Sequence, residues 1–286
     1  MSASTEIGAT QGFGRVVEVT QKYYDSNDAD SFYAEIWGGE DIHIGLYPAG
    51  SESVKQASRS TVDRLADTLL SITPDTRILD IGAGYGGTAR SFAKRFGCHV
   101  TCLNLSEAQN TRNRRLTGAQ SLEAQVAVVH GNFEALPFPQ DEFDVVCSQD
   151  AILHSGDRPR VLAEVARVLK PEGQFLFTDP MQSDDCPAGV LGPVLERIHL
   201  SSLGSFHFYR SELGRLGFSE LSVTDLSQHL LAHYRSVRAE LLSRYDEMTQ
   251  KASPEYVDRM LLGLEHWVTA ATKGYLAWGL LHFRAP

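Results

Sequence analysis

Apolar residues along this chain fall into two kinds of pattern, and the switch between them predicts the architecture. Over residues 53–71 they recur at helical spacing, and Thr73-Pro74-Asp75 closes that helix. From there short, nearly continuous apolar runs take over, at 77–81, 99–103, 126–129, 143–147 and 174–178. Runs of that length and composition suit strands buried on both faces. Helix-like sequence separates them at 87–96, from 107 to about 115, and at 158–169. Gly97 stands at a C-cap position, and Lys170-Pro171-Glu172-Gly173 stops the last of the three. Strand–helix alternation implies a parallel sheet joined by right-handed crossovers.

The flanks read differently. Residues 15–25 suit a helix with Val16, Val17, Val19, Tyr23 and Tyr24 roughly on one face. An aromatic run, Phe32-Tyr33-Ala34-Glu35-Ile36-Trp37, ends in Gly38-Gly39. Residues 187–208 and 228–273 read as mostly helical, with late strands at 221–226 and 279–283. The expected fold is an α/β, doubly wound Rossmann-like sheet with an N-terminal helical lid and helical insertions. Its segments would be the lid at 1–72, the core at 73–180, and cap helices with the last strands of the sheet at 181–286.

Composition changes this picture only by exclusion. At 42% hydrophobic and 22% charged residues, the 286-residue chain is neither disordered nor fibrous. A formal net charge of −10 disfavours a nucleic-acid surface, which needs clustered cations. No apolar run approaches the ~20 residues that cross a bilayer. Residues 1–14 lack a basic-then-apolar leader pattern, so a cytoplasmic protein is expected. Cys98, Cys102, Cys147 and Cys186 form no C-x-x-C pair and read as reduced thiols. No His/Cys cluster has metal-ligand spacing, so no metal is expected.

Candidate chemistry concentrates where the first strand meets its helix, at Leu79-Asp80-Ile81-Gly82-Ala83-Gly84-Tyr85-Gly86-Gly87. Gly82, Gly84 and Gly86 fit G-x-G-x-G, while Gly82, Gly84 and Gly87 also fit the dinucleotide fingerprint G-x-G-x-x-G. The turn alone therefore leaves S-adenosylmethionine, a nicotinamide and a purely structural role open. Asp80 separates the first two: a carboxylate there repels a pyrophosphate but can pair with the cationic amino-acid end of S-adenosylmethionine. Asn132-Phe133, a polar residue then an aromatic one after the third strand, suits the edge and face of adenine. Asn104 ends the second strand, where an acid usually holds the ribose; its amide can bond a hydroxyl without charge.

With Leu169-Lys170-Pro171-Glu172-Gly173, these features resemble the serial motifs of class I methyltransferases over roughly 77–180. The flanks look like sarcosine/dimethylglycine N-methyltransferases. The resemblance rests on Tyr23-Tyr24-Asp25, Trp37-Gly38-Gly39-Glu40-Asp41-Ile42-His43-Ile44-Gly45-Leu46-Tyr47 and Ser148-Gln149-Asp150-Ala151-Ile152-Leu153-His154-Ser155. It extends to Thr178-Asp179-Pro180-Met181 and Gly263-Leu264-Glu265-His266-Trp267. It implies S-adenosyl-L-methionine as cofactor and a small amine as substrate, sarcosine or dimethylglycine on the route to glycine betaine. That family also carries Asn at the ribose position. The implied cofactor set adds Ala83, Leu105, Gln109 and Gln149, with Tyr23, Ile42 and His43 from the lid. A second resemblance, through 150–154 and Tyr24, is to phosphoethanolamine methyltransferases, which also methylate an amine. A non-catalytic S-adenosylmethionine-binding module is the competing class.

For an amine to attack a sulfonium methyl it must first lose its proton. Asp150 and His154 stand four residues apart, and on a helix they would share a face as a carboxylate–imidazole pair able to take that proton. Tyr24 is expected to close over the reacting centre. Arginine suits a substrate carboxylate through a bidentate contact. Arg197 and Arg210 lie after the fifth strand, and Arg197 matches a phosphate-contacting arginine of the phosphoethanolamine group. Trp37 and Tyr209 are expected to face a methylated ammonium through cation–π contact.

Overall fold

The computed structural model describes residues 25–286 apart from Gly38 and His199, and Asn27 and Arg197 without their side chains. The helix expected at 15–25, and with it Tyr23 and Tyr24, lies outside the described residues.

Seven strands form one sheet: β1 (Arg77–Ile81), β2 (His99–Asn104), β3 (Val126–His130), β4 (Phe143–Gln149), β5 (Leu169–Gln182), β6 (Ser219–Asp225) and β7 (Leu276–Arg284). Their order is β3-β2-β1-β4-β5-β7-β6. The first five are parallel, and β7 runs antiparallel between β5 and β6, with Phe177 opposite Leu281. The five apolar runs and the two late strands read from the sequence are these seven. Because the chain steps outward from β1 to β3 and then returns to β4 on the other side of β1, the carboxyl ends of β1 and β4 flank a switch point where such sheets bind ligands.

Alternation along each strand feeds two cores. In β1, Ile78 packs with Val62, Leu65 and Phe92 on one face, while Leu79 and Ile81 pack with Val161, Leu162 and Val165 on the other. The helices that supply those partners are α2 (Val54–Thr68), α3 (Gly87–Phe96) and α5 (Arg158–Val168); α4 (Glu107–Ala119) follows β2. Ser53 and Gln56 close the N-terminus of α2 with a reciprocal capping box, and Gly97 ends α3 in the left-handed conformation.

A third core lies over the sheet's carboxyl edge. It joins α1 (Asn27–Phe32), which continues as a π-helix over Tyr33–Trp37, to α8 (Ser227–Ser243) and α10 (Pro254–Thr272) through Phe32, Trp37, Tyr234, Val237 and Trp267. The sequence over 228–273 is helical as expected, broken by the short α9 (Tyr245–Met248) and restarted by Pro254 at the first turn of α10. The stretch 187–208 departs from expectation. Only α6 (Gly192–Arg197) forms there before α7 begins (Phe206–Arg215). Gly189 adopts φ +79°, and Ser201-Ser202-Leu203-Gly204 supplies no helical stripe to bury.

Candidate active site

At the switch point a cleft of about 990 Å³ opens beside the glycine turn. Its floor is Asp80, the fourth residue of β1, and the turn after it. Gly82 adopts φ +76° and Gly84 φ +53°, values that favour glycine. A side chain at Gly82 would meet Ala151 at 2.3 Å, and one at Gly84 would meet Ile42 at 3.1 Å, so the turn is held close between the β4 end and the lid. Gly82 N and Ala83 N both donate to the Leu103 carbonyl, which ties this turn to the end of β2. Asn104, the last residue of β2, donates from Nδ2 to Gln109 Oε1 at 2.9 Å, and its own carbonyl accepts from Asn110. Asn132 and Phe133 follow β3, and Gln149 ends β4 with its Oε1 accepting from Thr88.

Every described member of the expected cofactor set lines this one cleft: Ile42, His43, Asp80, Gly82, Ala83, Gly84, Asn104, Leu105, Gln109, Asn132, Phe133 and Gln149. Tyr33, Thr88 and Ser106 line it as well and were not singled out by sequence. Burial pushes the Asp80 carboxyl up to about 7, relieved only by the Cys147 thiol, and no described cation pairs with it. Gln149 Nε2 is buried without a protein partner. A buried acid lacking a cation, an unpaired amide donor and a glycine-lined floor fit a ligand with a cationic end and several acceptors, as S-adenosylmethionine has.

A second, smaller cleft of about 450 Å³ abuts the first. Tyr33, Ile42, His43, Asp150 and His154 line both and form the junction. Beyond them stand aromatic walls, with Trp37, Tyr234 and Trp267, and no described Lys or Arg lines this chamber. Trp37 lies at its edge as expected, its ring packed at 5.9 Å on Tyr234 and its Nε1 donating to the His43 carbonyl.

The lid segment around residues 42–47 is held by its backbone. Ile44 N donates to Asp150 Oδ2 at 2.6 Å, Gly45 N to His233 Nδ1 at 3.1 Å and Tyr47 N to His229 Nδ1 at 3.0 Å. Ser58 and Thr61 of α2 bond the carbonyls of His43 and Ile44. Glu40 and Asp41, just before it, pair with Arg90 and Arg59. Burial lowers His43 to about 4 and His233 to about 3, so both imidazoles are neutral near pH 7.

Three sequence expectations need correction in geometry. Asp150 and His154 do not share a helix face. Asp150 follows the end of β4 at φ +52°, and only a 3₁₀ turn, Ile152–His154, comes after it. Its carboxylate accepts from Ile44 N, Thr178 Oγ1 at 2.9 Å and Trp278 Nε1 at 2.7 Å. Tyr209 is fully buried beneath β5, its hydroxyl donating to Asp179 at 2.6 Å, and lines neither chamber. Arg210 is on the surface, paired with Glu220. The side chain of Arg197 lies outside the described residues, but Ile198 beside it lines the second chamber.

The sheet order and the cleft at the β1/β4 switch point define a class I S-adenosylmethionine-dependent methyltransferase. A methyltransferase-domain family model matches residues 79–177. A sarcosine/dimethylglycine N-methyltransferase of Halorhodospira halochloris is 49% identical over 96% of this chain and 99% of its own length. A glycine/sarcosine/dimethylglycine N-methyltransferase of Actinopolyspora halophila is 51% identical over 99% of this chain; the chain spans half of that longer protein. Among solved structures, a protein assigned as a sarcosine dimethylglycine methyltransferase from Galdieria sulphuraria superposes with a TM-score of 0.87. It is 40% identical, over 92% of this chain and 98% of that one. The chain therefore belongs to the sarcosine/dimethylglycine N-methyltransferase family, and its cofactor is S-adenosyl-L-methionine.

Proposed function

We propose that this enzyme methylates the amine of sarcosine and dimethylglycine, with glycine betaine as the end product. The observation that carries the reading is the paired clefts: a glycine-floored chamber for the cofactor abuts a smaller one walled by aromatic side chains, into which an amine can be brought beside the cofactor. The bound cofactor supplies an electrophilic methyl on its sulfonium. The protein's own part is to hold the amine in line with it and to strip its proton, since an alkyl amine has a pKa of about 10. His154 is the residue read as taking that proton, a reading supported by its lining both chambers. Asp150 acts as a positioning residue, because its three hydrogen bonds tie the lid segment at Ile44 to Thr178 of β5 and Trp278 of β7. Trp37 offers an aromatic edge to the methylated nitrogen. Arg197, next to Ile198, is assigned to the substrate carboxylate, and Tyr24 to closing the lid, both on the family resemblance. Asp80 takes the cationic amino-acid end of the cofactor and Asn104 its ribose. The four free cysteines and the net charge of −10 favour a cytoplasmic enzyme that binds no nucleic acid.

The reading is tested by transfer from methyl-labelled cofactor to glycine, sarcosine, dimethylglycine, ethanolamine and phosphoethanolamine, each offered separately. Label in sarcosine or dimethylglycine is expected. Transfer to phosphoethanolamine alone would move the enzyme to the phosphobase class. Transfer to none of the five would overturn the substrate reading.

A further inference from the structure

The two chambers have a direction. The residues they share mark the end of the second chamber nearest the methyl donor. Pro180, Ile198, Tyr234 and Trp267 are among the residues that line the second chamber and not the first. A substrate that presents its nitrogen at the junction carries its other polar group into the part of the chamber such residues line.

Trp267 has an unexplained donor there. Its side chain is 1% exposed, and its ring stacks on Tyr234 with centroids 4.6 Å apart. Its Nε1–H is buried without a hydrogen-bond partner among the described residues. The other two tryptophans satisfy theirs: Trp37 donates to the His43 carbonyl and Trp278 to Asp150. A buried indole N–H left unpaired is costly, and indole is a donor only, so what it lacks is an acceptor. Among the described residues, the other fully buried side-chain atom without a hydrogen-bond partner in a residue lining this chamber is His43 Nε2, and His43 sits at the junction.

We propose that Trp267 is a substrate-binding residue whose indole N–H receives the carboxylate of the amino-acid substrate in the aromatic chamber. This rests on the amino-acid substrate reading given above. Trp267 then sorts substrates by the group two bonds from the reacting nitrogen. A carboxylate is bonded there, whereas a plain hydroxyl gains far less because it brings no charge to the hydrogen bond.

The test compares wild-type and Trp267→Phe enzyme with dimethylglycine and with N,N-dimethylethanolamine, which keeps the dimethylamine and lacks the carboxylate. The variant is expected to raise KM for dimethylglycine on the order of 10-fold or more. Affinity for dimethylethanolamine and for the cofactor, both read by calorimetry, should change little. An unchanged KM for dimethylglycine, or equal losses for both amines, overturns the proposal while leaving the substrate reading intact. Failure of the wild-type enzyme to use any amino-acid amine overturns both. A second measurement needs no substitution. In the wild-type enzyme loaded with S-adenosylhomocysteine and ¹⁵N-labelled at its three tryptophans, one indole N–H signal should move downfield on adding dimethylglycine and not on adding dimethylethanolamine. Three unmoved signals overturn the assignment.

Discussion

Ile44 and Asp150, 106 residues apart, are joined by a 2.6 Å hydrogen bond from the Ile44 amide to Asp150 Oδ2. The other carboxylate oxygen accepts from Thr178 on β5 and Trp278 on β7, so one half-buried acid links the lid to two strands of the sheet. Its surroundings are all donors. That arrangement explains the left-handed backbone at Asp150, which turns the carboxylate back toward the lid at a cost of about 1 kcal/mol or more.

Asp150→Asn should therefore loosen the lid. The amide's NH₂ must face one of three donors, leaving that pair unmade. A loss of about 1–3 kcal/mol is expected, seen as a melting temperature lower by several degrees. The enzyme should also show weaker cofactor affinity and faster proteolysis within residues 39–50. If Asp150 acted chiefly through His154, the variant would instead shift the pH–rate profile with stability and cofactor binding unchanged.

What the sequence could reveal follows from how local each signal is. An apolar run, a glycine turn and an acid two residues before it are neighbours in the chain. The seven strands and the glycine-turn floor of the cleft were legible for that reason, whereas Tyr33, Thr88 and Ser106, which also line it, were not. Asp150 was misread because its conformation is set by Ile44, Thr178 and Trp278, none of which a four-residue spacing can encode. Tyr209 sits in an aromatic run that fits a core or a cage equally, and its partner Asp179 lies thirty residues away on β5. The second chamber was hardest. It takes Trp37 from the lid but Tyr234 and Trp267 from helices about two hundred residues later, and only packing brings them together.

Arg197 and Arg210 should now part company. Arg210 is exposed and paired with Glu220, a surface contact worth about 0–1 kcal/mol. Arg210→Ala should leave KM for dimethylglycine unchanged, and Arg197→Ala should raise it with less effect on cofactor affinity. Tyr209→Phe should cost about 1–2 kcal/mol through the lost bond to Asp179, with KM unaltered. A raised KM in Tyr209→Phe or Arg210→Ala, at full stability, would return those residues to the substrate site.

Asp80 predicts how cofactor binding depends on pH. Its carboxyl is raised to about 7 by burial, above the unfolded value near 4. In the empty protein its stabilising contribution is full below about pH 4 and is lost as pH rises through about 7. A cationic ligand end reverses this, because it favours the ionised acid. At pH 5.5 binding must first expel the proton, so affinity should rise by up to about tenfold per pH unit between 5.5 and 7. Calorimetry of S-adenosylhomocysteine binding across that range should show proton release. Asp80→Asn should bind more weakly at pH 7 with a flat profile. A flat profile in the wild type would remove Asp80 from the cofactor's amino group.

His233 predicts how the lid responds to acid. Its Nδ1 accepts from Gly45 N and faces the Tyr47 hydroxyl at 3.1 Å, so the imidazole must be neutral to hold the strand. Burial, aided by His43, lowers its pKa from 6.5 to about 3. A folded value below the unfolded one means the unfolded chain binds the extra proton. The contribution is therefore complete above about pH 6.5 and fades as pH falls toward about 3. The buried acids Asp41 and Asp179, raised to about 6 and 7, pull the other way over part of that window, so a single melting curve blends both. The comparison that isolates His233 is His233→Phe against wild type at pH 7.5 and pH 5. The variant strands the Gly45 amide and should lose about 1–3 kcal/mol at pH 7.5. At pH 5 the gap should narrow, because the wild type is by then giving up its own advantage. A gap that stays constant or widens on acidification would mean that His233 supports the lid by packing against Trp37 rather than by accepting the Gly45 bond.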